Sequence, residues 1–211
     1  MRRGLRGLSM AVVLAVLVAA CGKADAKYVT NKDLGLYMKV PPSWTVFDVQ
    51  DSQPGVLQVG SDLVRIRWTV GLDGSSTPTR SHLEETVTDA PAGEVTVVPV
   101  VGADLPATLD TLRKLAIGQT HVPLDTTTGA TTVDVKVSDE QEIQFQTGHY
   151  GYRATVTVAF TDGPATFSSM AIFDKSALFV QALTIGCKSA CYDANKAAID
   201  KIFDSYTLKG T

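Results

Sequence analysis

Hydrophobic positions recur with a period of two over most of this chain and with a period near 3.6 at its C-terminal end. Residues 63–70 alternate. Val64, Ile66, Trp68 and Val70 fall on one face and Arg65, Arg67 and Thr69 on the other, which predicts a strand with one buried side. Short strands are predicted at 36–40 and 44–49, because Pro41-Pro42-Ser43 between them breaks any helix and sets a turn. Thr77-Pro78 followed by Ser81-His82-Leu83-Glu84 reads as a helix start with a capping box, the helix ending before Pro91. A strand is predicted over 94–101 and a second helix over 105–115. Val133, Val135 and Val137 alternate with Asp134, Lys136 and Ser138 in another amphipathic strand.

The C-terminal third is the most regular part. Strand-like runs at 142–146, 152–161, 165–174 and 177–186 are joined by GHYG, TDGP and DKS, all turn chemistry, so they predict an antiparallel meander. The period then changes. Ala194, Ala198, Ile199, Ile202, Phe203 and Tyr206 form one helical stripe, with Asp193 placed as N-cap. An antiparallel β-sheet with helices packed against it, the last of them C-terminal, is the α+β class.

The first residues follow a different logic. Arg2, Arg3 and Arg6 precede an uncharged, apolar run from Leu8 to Ala20. As a helix that run rises only about 20 Å, short of a bilayer core, so residues 1–20 read as a signal peptide and not a membrane span. The run ends in Val18-Ala19-Ala20-Cys21, which resembles the lipobox of bacterial lipoproteins. Small residues let an extended backbone enter a peptidase groove, and only a thiol forms the thioether to diacylglycerol, so Cys21 is the expected lipid (palmitate) attachment site. The Arg2-Arg3 pair lies too near the N-terminus, and lacks too much of the motif, for a twin-arginine signal.

Cysteine arithmetic agrees. Of three cysteines, lipidation uses Cys21 and leaves Cys187 and Cys191, which in an oxidising compartment are expected to form a disulfide. The spacing differs from C-x-x-C, and no histidine lies near enough in sequence to complete a metal site. Residues 21–27 then form a lipidated cysteine and short polar tether, reaching at most about 25 Å. Residues 28–211 form one domain held close to the membrane.

Charge narrows the partners. The whole chain carries −3, and loss of Arg2, Arg3 and Arg6 with the signal peptide takes the balance to −6. A mildly acidic domain without a basic run suits neither nucleic acid nor broad contact with an anionic bilayer. Catalytic and cofactor chemistry finds little support. His82, His121 and His149 sit in three separate elements and read as surface or loop histidines. No phosphate-binding glycine motif occurs, and Gly74-Ser75-Ser76 reads as a turn, not a nucleophile elbow. Ser138-Asp139-Glu140-Gln141-Glu142 lacks the alternation of a calcium loop and reads as a solvated turn. No cofactor and no metal is therefore expected. Two features invite a partner. Arg65 and Arg67 on one exposed strand face suit a carboxylate or phosphate. Tyr150 and Tyr152, in GHYGY, have the aromatic-and-glycine composition of an interface loop.

One resemblance draws these elements together. The strand running into Tyr37-Met38-Lys39-Val40-Pro41-Pro42-Ser43-Trp44, the hairpins GYRATVTVAF, ATFSSMAIF and ALFVQALTI, and the closing IDKIFDSYTL resemble the PsbP-like family. That family includes extrinsic proteins of the photosynthetic oxygen-evolving complex, their non-photosynthetic relatives and a Ran-binding relative; actinobacterial lipoproteins share the outline. The resemblance spans most of residues 30–208, through order and pattern without a diagnostic motif. It implies an α/β/α sandwich acting as a binding or assembly module. The expectation is a lipid-anchored, extracytoplasmic protein, non-catalytic, that binds another envelope protein. The alternative is a carrier of a small apolar ligand or lipid.

Overall fold

The structure, a computed structural model, describes residues 25–49, 56–59, 62–85, 87–100, 108–118 and 134–209. The predicted signal peptide, Cys21 and His121 lie outside the described residues.

Strands β1 (Lys27–Asn31), β2 (Leu36–Val40) and β3 (Thr45–Asp48) open the fold, and β4 (Val56–Val59) pairs with β5 (Asp62–Arg65) as a separate hairpin. After β6 (Trp68–Asp73) and β7 (Ala92–Pro99) come helix α1 (Leu109–Gly118) and four strands of the C-terminal part: β8 (Val135–Gln144), β9 (Tyr150–Phe160), β10 (Gly163–Phe173) and β11 (Phe179–Lys188). Helix α2 (Ser189–Asp204) and β12 (Thr207–Leu208) follow. A seven-stranded antiparallel sheet has the order β3-β6-β7-β11-β10-β9-β8, and a small sheet has the order β1-β2-β12.

Side-chain parity along the central strands sorts the interior into two cores. On one face Val70, Leu72, Val95, Met170, Ile172, Leu183 and Ile185 pack with Ile199, Ile202 and Phe203 of α2 and with Leu36, Met38 and Val40 of β2. On the other, Val156, Val158, Phe167 and Phe173 pack against Leu112, Ala116 and Ile117 of α1. Sheet, helices and small sheet thus form the α+β sandwich expected from the pattern. Buried hydroxyls tie the layers: the hydroxyls of Ser168 and Tyr192 lie 2.6 Å apart, and Ser169 Oγ donates to the Ala116 carbonyl at 2.5 Å.

The sulfurs of Cys187 and Cys191 are at disulfide distance, 2.14 Å, joining the end of β11 to the first turn of α2. Closing so short a loop contributes about 2 kcal/mol on the chain-entropy estimate. The Cys187→Ala/Cys191→Ala variant should lower the free energy of urea unfolding by that amount, with the far-UV dichroism of the folded state unchanged; an unmoved midpoint would remove the bond from the stability account.

Several expectations need correction. The run 63–70 is two strands: the chain leaves β4 after Arg65 and joins β3 and β7 from Trp68, so one alternation covers two pairings. From Thr69 to Asp73 both faces of β6 are buried, not one. In place of a helix before Pro91 the described residues form a 3₁₀ turn, Arg80–Leu83, with no side-chain cap hydrogen bond. That segment is organised instead by Asp73, which draws in its N–H groups. The second helix starts later than predicted, at Leu109. The expected solvated turn at 138–142 is continuous strand: β8 runs through it, taking up its irregularity as a register shift between Ser138 and Gln141 with Asp139 at φ 52°. Helix α2 begins at Ser189, with Lys188 and not Asp193 at the N-cap position. Burial of Tyr192 and the bond through Cys191 set that earlier start; Ala194 is exposed, and Tyr206 packs from beyond the helix end.

Candidate functional site

The residues singled out from the sequence do not converge. Arg65 ends β5, and its side chain lies outside the described residues. Arg67 is exposed in the break before β6, its guanidinium carbon 4.4 Å from the centroid of the Phe179 ring. The two arginines are therefore not neighbours on one continuous strand face. Tyr150 packs on Phe173, ring centroids 5.5 Å apart, and Tyr152 is only 3% exposed. Neither ring is displayed as the loop composition suggested, because β9 already begins at Tyr150 and turns Tyr152 into the core beside α1. His149 is buried, contrary to expectation. Its Nδ1 lies 2.7 Å from Thr147 Oγ1, and burial pushes its pKa below the ordinary imidazole value. His82 is half-buried, with Nδ1 2.8 Å from Asp73 Oδ2. Among the described residues no group of three or more His, Cys, Asp or Glu is placed to hold a metal, and no helix is long and apolar enough to cross a membrane.

A polar site forms where no local motif marks it. Between α1 and the irregular part of β8 lies an open cleft of about 370 Å³, lined by Leu109, Asp110, Arg113, Glu140, Glu142 and Tyr152 among others. Glu140 is the hub. It accepts the Tyr152 hydroxyl at 2.5 Å and the Arg113 Nε–H at 3.0 Å, and these two donors hold its carboxyl below the usual range. Desolvation, with the Glu140 hydrogen bond adding to it, pushes the Tyr152 hydroxyl up to about 12. Asp110 at the rim is engaged by Lys114 at 2.6 Å. An acid well below neutrality bonded to a phenol well above it has no proton to exchange at pH 7. The trio instead fixes an apolar wall and a charged edge in one geometry, which suits recognition of a polar partner group. Arg113 and Glu140 are 27 residues apart on different elements, so no motif spacing connects them. In the folded ladder Tyr152 stands opposite Glu142, and the register shift beside it brings Glu140 within reach of the hydroxyl.

The fold and this cleft define an α+β sandwich with open surface sites. No protein-family model matches the chain, and neither does any curated protein. Among solved structures it is similar to the solution structure of cyanobacterial PsbP (CyanoP) from Synechocystis, with a TM-score of 0.52 and 14% identity over 90% of this chain and 96% of that one. It is also similar to the crystal structure of the Saccharomyces cerevisiae Ran-binding protein Mog1p, with a TM-score of 0.50 and 11% identity over 88% of this chain and 96% of that one. The chain has a PsbP-like fold; at these identities the likeness is one of fold alone.

Proposed function

We propose that this chain is an extracytoplasmic lipoprotein, anchored through Cys21, whose folded domain is a non-catalytic module that binds another envelope protein. The Arg113–Glu140–Tyr152 cleft carries the binding half of this reading. It offers a fixed charged edge beside an apolar wall, open to solvent, on a fold shared with a protein named for binding Ran. The anchoring half is supported by Val18-Ala19-Ala20-Cys21, by the short distance from there to β1, and by the Cys187–Cys191 pair, whose oxidised form suits a compartment outside the cytoplasm. The carrier alternative finds less support. The cavity between the 3₁₀ turn and the sheet, beside Phe167 and Thr184, has only about 40 Å³ of usable space, whereas ligand sites run from about 300 to 1,000 Å³. The clefts of about 370 and 600 Å³ reach that size but are open to solvent and do not enclose a ligand.

Crosslinking and pull-down from intact cells, with palmitate labelling alongside, test both halves. Cys21→Ser should abolish labelling and move the protein out of the membrane fraction. Arg113→Glu, a charge reversal at an exposed position, should leave labelling intact and reduce capture of the crosslinked partner about tenfold or more. Unchanged labelling in the first variant rejects the anchor. Unchanged capture in the second rejects the cleft as the contact.

A further inference from the structure

Helix α2 has two unlike faces. Ile199, Ile202 and Phe203 are buried, while Ala194, Ala197, Ala198 and Lys201 share another face at helical spacing. Because those three side chains are methyl groups, the space between α2 and the turn after β2 stays unfilled. The result is an open cleft of about 600 Å³, with Pro41, Pro42 and the three alanines as an apolar floor and Lys39 and Lys201 at its rim. Asp25 and Ala26, the first described residues, lie in its wall. Asp25 is four positions beyond Cys21, a reach of at most about 14 Å. A lipid on Cys21 would therefore hold this cleft, and no distant face, against the bilayer.

The chemistry of the surroundings matches that position. Tyr28 is 68% exposed on β1, directly opposite Lys39 on β2, and an exposed tyrosine beside lysines suits a headgroup region. Among the described residues neither Lys39 nor Lys201 has an ion-pair partner, whereas Lys196 on the same helix is held by Asp200 at 2.8 Å. Lys27 is committed to the Trp44 carbonyl and Lys209 sits over the Tyr37 ring. Asp25 is the acidic group lining the cleft.

We propose that this cleft is the surface on which the domain seats on its own bilayer, anionic glycerophospholipid headgroups meeting Lys39 and Lys201 above the Pro41–Pro42 and alanine floor. The inference rests on the anchoring read from Cys21. The domain is acidic as a whole, so its net charge does not draw it down broadly, and the short tether with Lys39 and Lys201 favours this face in the orientation it takes.

The full lipidated protein, reconstituted in vesicles, gives the test by amine-acylation footprinting read by mass spectrometry. In vesicles one-third phosphatidylglycerol, Lys39 and Lys201 should react about tenfold more slowly than in pure phosphatidylcholine vesicles, while Lys136 on β8 reacts equally in both. Pro42→Glu/Ala197→Glu, at two exposed positions, should restore the fast reaction without loss of vesicle flotation. Equal rates in the two vesicle types, or slow rates persisting in that variant, overturn the docking surface while leaving the anchor standing. Protection that is the same in neutral vesicles assigns the cleft to another occupant and also overturns it. Failure of the wild-type protein to carry palmitate or float with vesicles rejects the anchor, and the docking surface with it.

Discussion

Gly93→Ala is expected to lower the unfolding free energy by about 3 kcal/mol, the high end for forcing one methyl group into a packed interior. Gly93 lies in β7 directly opposite Ile185 of β11, at the centre of the main sheet. A Cβ built there would stand 2.0 Å from the Thr184 carbonyl oxygen and 2.7 Å from the Ile185 Cα. Both are backbone atoms of a strand hydrogen-bonded on each side, so neither can withdraw without parting the ladder. Gly71 supplies the control. A Cβ there would meet the Leu83 side chain, nearest atom 2.1 Å away, and Leu83 sits at the end of a surface 3₁₀ turn where it can rotate aside. Gly71→Ala should therefore cost about 1 kcal/mol. Urea midpoints at constant m-value measure both; equal losses would mean that backbone proximity at Gly93 is not what decides the difference.

The second large effect is expected at Asp73. This carboxylate is fully buried and accepts the Ser75 N–H at 2.8 Å and the Thr79 N–H at 3.0 Å, with His82 Nδ1 at 2.8 Å. Asp73→Ala removes the common acceptor of two backbone N–H groups and leaves His82 without its partner. The partners are half-buried or exposed, so water replaces part of what is lost; at about 1 kcal/mol per bond, a total of about 3 kcal/mol follows. The acid limb carries the signature. Burial acts to raise the Asp73 pKa, but the hydrogen bonds from Ser75, His82 and Thr79 together outweigh it and hold the carboxyl below 3.8. A folded-state pKa below the unfolded one means that the group stabilises the fold above about pH 4 and that this contribution fades as pH falls through the folded value. Asp73→Asn should accordingly flatten the stability-against-pH curve below pH 4 relative to wild type. A parallel curve, merely offset, would show that Asp73 is not the group titrating.

What the sequence displayed and what it concealed divide along locality. The β9–β11 meander was legible because apolar alternation and its turn residues are adjacent in the chain. Gly148 and Gly163, at φ 87° and 111°, do occupy two of the three connections. The pairing of Cys187 with Cys191 was legible for the same reason. Asp73 was not, because a buried acid inside a strand looks like an outward-facing one until the following loop folds over it. The start of α2 was misplaced because Asp193 has the chemistry of a cap, while the actual N-terminus is set by burial of Tyr192 and attachment through Cys191. The Arg113–Glu140–Tyr152 trio depends on three elements meeting, and nothing in the spacing of its members announces that.

β12 pairs with β2, placing Leu208 across from Leu36, and Lys209 donates its N–H to the Gly35 carbonyl. Leu36, fully buried, is thus roofed by residues synthesised some 170 positions later. Without β12 that leucine and the edge of β2 would be uncovered. The two ends of the described chain are thereby clasped in one small sheet, so pulling on either end loads the same β2 ladder first.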